Sequence, residues 1–348
     1  MKKGYFHRVS ALTPTKFWIN NVTREEARLA IANGAVGCTQ NPSYSWKMLQ
    51  HPQEGTYALK ILQECMEATE DDNEVICLLQ RKLVAGVAEI FMPLWESSRG
   101  RSGYVSIQGD PIHEHHAQVI IEEGRKNRQI SPNIMIKVPA TKAGLEAMKV
   151  LLEENTPINA TEVMSVRQAL DLCDLYEQVT EATGQQPVSY LSHIAGIYDE
   201  YLQRYVRDNK VEVSRDFLWQ AGLTVARKIY RLMRDRASTL GFIAGGARDL
   251  HHFTEMVGGN VCVTINWSGT ADRLLELDPP VVCRISNAAP DYVVDDLLEK
   301  VVEFRRAYLA NGLEPEEYES FGPVEYFRSM FVSAWESTLK AVQQRRNR

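Results

Sequence analysis

The stretch NIMIKVPAT, residues 133–141, decides the fold. Ile134, Met135, Ile136 and Val138 suit a strand covered on both faces, as in a parallel sheet layered with helices. Lys137 interrupts the run, and a lysine is almost never fully buried unless something pairs with it or uses it. Period two places Asn133, Met135 and Lys137 on one face and Ile134, Ile136 and Val138 on the other. The branched face suits packing against helices, which leaves the lysine on the opposite face, near the strand's C-terminal end.

Similar β-rich runs recur along the chain. They fall at 17–22, 35–41, 104–110, 133–139, 158–164, 187–192, 240–246 and 260–267. Helical patterns separate them, among them 23–34, 113–128, 142–155, 165–183 and a long run across 215–236. Eight strands in βα alternation predict an α/β fold, a closed (β/α)8 TIM barrel. The gap from 43 to 103 is too long for one connection and is expected to hold inserted helices on the top face. Residues 290–348 are expected to add two more helices. No Gly/Ser/Pro-rich linker marks a second domain, so 1–348 reads as one unit with its barrel at about 17–280. The basic end QQRRNR is expected as a frayed, solvated helix terminus.

Composition narrows the function classes. The 348 residues are 44% hydrophobic and 24% charged with a formal net charge of -6, which gives no general attraction to nucleic acid. No apolar run has the length of a membrane span, and the N-terminus lacks an apolar signal core. A soluble cytoplasmic protein is expected, with a small-molecule partner. Cys38, Cys65, Cys77, Cys173, Cys262 and Cys283 show no CxxC spacing and are expected as reduced core thiols. His113, His115 and His116 in DPIHEHHAQ do not have the spacing to converge on one ion, so no metal site is expected.

In a barrel the face bearing Lys137 is the interior, and the C-terminal strand ends are where barrel enzymes keep their chemistry. Burial lowers an ammonium pKa, and a neutral amine can condense with a carbonyl. The alternative is a structural ion pair with an inward carboxylate. Asn20, Asn41, Gln108, Asn159, Thr161 and Ser189 end other strands and are expected in the same layer. So many inward polar groups suit a site better than a core. AGGAR (244–248) offers glycine N–H groups beside Arg248, which suits a phosphate or other anion. A helix start at Asp249 explains the same residues.

Taken together, FWINNV, GCTQNPS, YVSIQGDP, NIMIKVPATKAGLEAMKVL and INATEVMSVRQAL, in this order, resemble the transaldolase family across roughly 17–280. VSYLS and AGGAR match it more weakly. The resemblance implies a transferase in which Lys137 forms a Schiff base with a ketose, retains a three-carbon dihydroxyacetone unit and passes it to an aldehyde. It implies no metal or organic cofactor. It assigns Thr161 to placing a catalytic water, Asn41, Asn159 and Ser189 to substrate hydroxyls, and Arg248 to a terminal phosphate. The expected partner is a sugar or sugar phosphate, and a homodimer stays open.

The chain departs from that pattern where the family has acid–base groups. Asn20 stands in place of an aspartate on the first strand and Gln108 in place of a glutamate on the third. An amide keeps the shape but cannot exchange a proton near neutral pH. The fructose-6-phosphate aldolase branch also has glutamine at the second position, but its compensating tyrosine matches Met164 here. A second phosphate-binding arginine is missing near His193 and Ile194. Candidate replacements for the lost acids are His193, Tyr190 or a carboxylate from 43–103. Alternatives to transfer are an aldolase releasing its three-carbon unit to water, and a sugar-binding barrel without turnover.

Overall fold

The computed structural model describes residues 4–347. Eight parallel strands close into a barrel in sequence order. They are β1 (Lys16–Asn20), β2 (Ala35–Gln40), β3 (Tyr104–Gln108), β4 (Ile134–Pro139), β5 (Ile158–Val163), β6 (Tyr190–His193), β7 (Gly241–Ala244) and β8 (Cys262–Ile265). The fold is the expected TIM barrel with added helices. Each of the eight sequence runs overlaps one strand with ends shifted by up to three residues; β1 begins one residue before its run, and β6 starts three residues late and ends one residue past it.

The period-two reading of β4 holds. Met135 packs with Trp18, Tyr104, Ile243 and Cys262 in a layer of its own, apart from the main core. That layer is the barrel floor. Trp18 fills it because Gly37 on the next strand has no side chain: a Cβ there would lie 2.3 Å from the Trp18 ring. Ile134, Ile136 and Val138 belong to the larger core shared with the outer helices. Lys137 therefore stands on the interior face, one step above the floor.

The chain that follows β4 clamps its end. Thr141 caps the helix Lys142–Glu153 by accepting from the Gly144 N–H. Gly144 approaches the strand so closely that a Cβ would sit 1.8 Å from the Pro139 carbonyl oxygen. Capping boxes at Thr23–Glu26 and Ser165–Gln168 start the helices Arg24–Ala32 and Val166–Thr183 in the same way.

Several added helices differ from expectation. The region after β2 forms Tyr44–Gln50, Gly55–Ala68 and the long Asp72–Ser97. The last packs on β2, β3 and helix Arg24–Ala32, so it is the outer-ring crossover between β2 and β3 and not a top-face insertion. The run across 215–236 splits into Arg215–Leu218 and Ala221–Asp235, and the helical pattern after 290 breaks at Val301. Of the basic end, Arg348 lies outside the described residues, and up to Arg346 the final helix, Gly322–Arg346, is tied down and not frayed. Arg346 donates to Asp72 at 2.6 Å and to the Thr69 carbonyl at 2.6 Å. Five cysteines are buried and free; Cys283 is exposed, because it follows β8 in an irregular segment rather than a core element.

Candidate active site

A cavity of about 310 Å³ opens at the C-terminal ends of the strands. Lys137 forms part of its base with Asn20, Thr39, Ser192 and Thr264 around it. Phe327, Met330 and Phe331 from the final helix form an apolar roof. The Phe331 ring centroid lies 5.7 Å from Lys137 Nζ. The volume suits a small polar substrate.

The polar residues around the lysine hold one another in place. Asn20 Nδ2 donates to Asn266 Oδ1 at 3.0 Å, and Thr39 Oγ1 donates to Asn20 Oδ1 at 2.8 Å. Asn159 pairs with Lys137 across the β4–β5 ladder. Its Oδ1 accepts from Ser192 Oγ at 2.7 Å, and its Nδ2 donates to Ser106 Oγ at 3.3 Å. Asn41 lines the cavity with its Oδ1 taken by Asn21, by the Ser43 N–H and by the Ser43 hydroxyl. Thr161 is buried, and its Oγ1 finds no partner among the described residues.

Ser189 lies elsewhere. It precedes β6 and accepts from the Ile158 N–H at 3.3 Å. Tyr190 packs against the floor layer, with Trp18 edge-on at 5.4 Å, so alternation turns Ser192 inward and leaves Ser189 out. The hydroxyl that faces the cavity on this strand is Ser192. Arg248 does reach the cavity, but Glu200 holds its guanidinium at 2.6 Å, and Glu200 also accepts from the Tyr326 hydroxyl at 2.6 Å.

The acid groups come from places the sequence pattern did not single out. Gln108 Nε2 donates to Glu162 Oε1 at 2.9 Å and to Glu114 Oε2 at 3.2 Å. Glu162 is on β5, where period two puts Thr161 inward and its neighbour out. A register shift against β6 between Ala160 and Val163 inserts an extra residue, and Glu162 takes φ +61° there. The bulge turns its side chain toward Gln108. A left-handed conformation in a non-glycine residue costs on the order of 1–3 kcal/mol, so the rest of the fold imposes it. Glu114 comes from the loop after β3, near the His-rich stretch, where His113 Nδ1 meets Asp110 at 2.6 Å.

None of the replacements expected from sequence fills this place. His193 is buried between the Val163 and Gly222 carbonyls, at 2.8 and 3.1 Å, and burial lowers its pKa to about 4. Tyr190 belongs to the floor, and the carboxylates beside Gln108 come from outside 43–103.

Charges in the site are shifted in opposite senses. Burial lowers the Lys137 pKa to about 8, opposed by the charges of Glu162 and Glu114. Burial raises the Glu162 pKa to about 7, opposed by the Gln108 hydrogen bond and by Lys137 and Arg328. Glu114 is pushed well above the carboxylate range by burial and by Glu162. An amine with a lowered pKa and carboxyls with raised ones thus share one buried site, which suits proton exchange and attack on a carbonyl.

Two clusters have metal-like composition. Asp199, His251 and His252 lie together, as do Glu74, Cys77 and Glu123. Asp199 already accepts from the Gly222 N–H at 2.6 Å and meets His252 Nε2 at 3.1 Å. Glu74 and Glu123 both bind Arg81, at 3.0 and 2.7 Å. Neither cluster lines the large cavity over Lys137, though Glu123 borders a small one beside Gln108 and Lys137.

Residues 17–278 match the family model described as Transaldolase/Fructose-6-phosphate aldolase. The chain belongs to that family. Among its relatives, the transaldolase of Mycobacterium tuberculosis (strain ATCC 25618 / H37Rv) is 29% identical over 233 residues, covering 63% of this chain and 61% of that one. The transaldolase of Mycobacterium ulcerans (strain Agy99) is 29% identical over 228 residues, 61% of this chain and 60% of its own. That of Mycobacterium leprae (strain Br4923) is 27% identical over 227 residues, with 61% and 60% covered. The chain spans about three-fifths of the length of these relatives. A solved structure of the carboxyl transferase domain of Rhizobium etli pyruvate carboxylase with pyruvate aligns at a TM-score of 0.34 with 11% identity, over 97% of this chain and 52% of that one. The family match ends before the final helix, so the roof over Lys137 lies outside it.

Proposed function

We propose that this transaldolase-family chain is a transferase that forms a Schiff base between Lys137 and a ketose or ketose phosphate. It retains the three-carbon dihydroxyacetone unit and hands it to an aldehyde. One observation carries the reading: Lys137 is 6% exposed, faces the barrel interior and borders the cavity at the C-terminal strand ends, with its pKa lowered to about 8. A structural ion pair would raise the ammonium pKa, whereas here burial outweighs the acidic neighbours and lowers it. The free amine attacks the carbonyl, and the resulting iminium draws electrons from the carbon bond that breaks, so the reaction calls on no cofactor.

Around the lysine, Asn41, Asn159 and Ser192 would bind the hydroxyls of the retained unit, Thr161 would hold a water, and Asn20 would orient hydroxyls without moving a proton. Arg248 would meet the substrate's distal end, in competition with Glu200. The apolar roof of Phe327, Met330 and Phe331 limits water around the bound fragment, which favours transfer to an aldehyde over release to water.

Borohydride reduction in the presence of dihydroxyacetone, fructose or fructose 6-phosphate tests this directly. A ketose-derived mass increase on the Lys137 peptide is expected. Its absence across the panel would sink the reading. Comparing free dihydroxyacetone with transfer to erythrose 4-phosphate separates transferase from aldolase.

A further inference from the structure

Gln108 sits between two buried carboxyl groups and spends one amide nitrogen on both. An amide nitrogen has two hydrogens, so Gln108 can satisfy Glu162 and Glu114 together, yet it cannot itself take up or release a proton. Glu114 Oε1, Glu162 Oε2 and Gln108 Oε1 are buried and find no partner among the described residues. Orphaned oxygens are costly in a core, so this cluster is poor packing and plausible chemistry. Facing it are the cations Lys137 from β4 and Arg328 from the final helix, with Asp110 adding negative charge beside Glu114. Two carboxyls on one donor do not ionise independently, and one proton shared by the pair relieves their repulsion. Beside them, a cavity of about 20 Å³ bordered by Gln108, Glu114, Lys137, Asp110 and the Arg81-paired Glu123 has room for one water.

We propose that Glu162 and Glu114, bridged by Gln108, form the proton store for imine chemistry at Lys137. The inference rests on the Schiff-base reading above. The pair supplies what the amides Asn20 and Gln108 cannot.

In the proposed step, the free Lys137 amine adds to the ketose carbonyl carbon. The C=O π pair moves to oxygen, and a proton passes from nitrogen to that oxygen, giving a neutral carbinolamine. The carboxyl pair then gives its proton to the hydroxyl, through the water in the small cavity. The C–O bond breaks, water leaves, and the nitrogen lone pair closes the iminium. One carboxylic acid has become a carboxylate and one neutral amine a cationic iminium, so charge balances. Hydrolysis of the product imine runs the same transfers backwards and refills the store.

The test is the rate of borohydride-trappable adduct formation with fructose 6-phosphate and dihydroxyacetone, measured from pH 5 to 10 on wild type, E162Q and E114Q. Both changes keep shape and hydrogen-bonding capacity while removing the titrating proton. Melting curves verify that each variant is folded; E114Q leaves the bulge residue untouched and carries the test if E162Q melts early. The expected result is a fall of about 10²–10⁴-fold in adduct formation and loss of the alkaline limb of the profile. A merely structural role would lower the rate without removing that limb. Wild-type rate and profile in both variants, with normal trapping in wild type, overturn the proton-store proposal alone. No adduct in wild type overturns the Schiff-base reading and this proposal with it.

Discussion

Gln108 Nε2 donates to Glu162 Oε1 at 2.9 Å, tying the third strand of the barrel to a bulge on the fifth. The two residues flank Lys137: Gln108 is its ladder partner on β3, and Glu162 lies three positions after Asn159, its partner on β5. The amide thus holds a carboxyl group in the place where an acid beside the lysine is useful. Four consequences can be measured.

The pH profile of adduct formation should be bell-shaped. Reaction needs Lys137 as free amine, which becomes abundant as pH rises through about 8. It also needs a protonated carboxyl, which Glu162 loses as pH rises through about 7. The two requirements overlap most near pH 7.5, and the apparent values belong to the coupled cluster. A rate that climbs steadily to pH 10 would show that the acid is not used.

Stability should respond to Glu162 with a sign opposite to that of a salt-bridged carboxylate. Its folded pKa of about 7 lies above the ordinary 4.5, so between those values the folded protein keeps a proton that the unfolded chain has lost. Unfolding releases that proton, and stability falls as pH rises through the window. Against E162Q, wild type should lose up to about 3 kcal/mol between pH 4.5 and 7. Lys137 acts in a separate window: its folded value of about 8 lies below 10.5, so its burial cost is relieved as pH rises from 8 to 10.5. Urea titrations at pH 4.5, 7 and 10 read both effects.

Glu200 should tune the preference for phosphorylated substrates. It holds Arg248 at 2.6 Å, and the two side chains are 39% and 41% exposed. E200Q frees the guanidinium for a terminal phosphate. Because solvent screens the pair, a KM decrease of only about two- to five-fold is expected for fructose 6-phosphate, with fructose unchanged. Equal shifts for both substrates would place Arg248 away from the substrate's end.

Phe331 should matter to both folding and the lysine. It is 2% exposed and its ring is 5.7 Å from Lys137 Nζ. F331A should cost about 3–5 kcal/mol through the cavity it leaves, and F331L markedly less. In F331L, water nearer the amine should raise the Lys137 pKa and move the acid side of the adduct profile to higher pH. An unmoved profile would mean that the roof does not set the lysine's environment.

Much of this was legible along the chain. Met135, Lys137 and their branched neighbours encode which face is inside, because strand alternation is local and needs only one register. The eight βα repeats encode closure for the same reason. Ser189 shows the limit: a start of β6 misjudged by three residues reverses which hydroxyl faces the cavity, and Ser192 takes its place. Two serines three apart leave that choice to the ladder.

Glu162 was hidden from local reading altogether. In INATEV, alternation turns Thr161 inward and its neighbour away. The bulge that reverses this arises because β5 must align with β4 on one side and β6 on the other, and the extra residue absorbs the mismatch. Glu114 likewise joins the site only through the loop that folds back after β3. Sequence alone determined the barrel, the inward lysine and the loss of two acids from the family pattern. Tertiary structure alone decided which carboxyls stand beside that lysine and what roofs it, since both depend on strand register and on a helix nearly two hundred residues away in the chain.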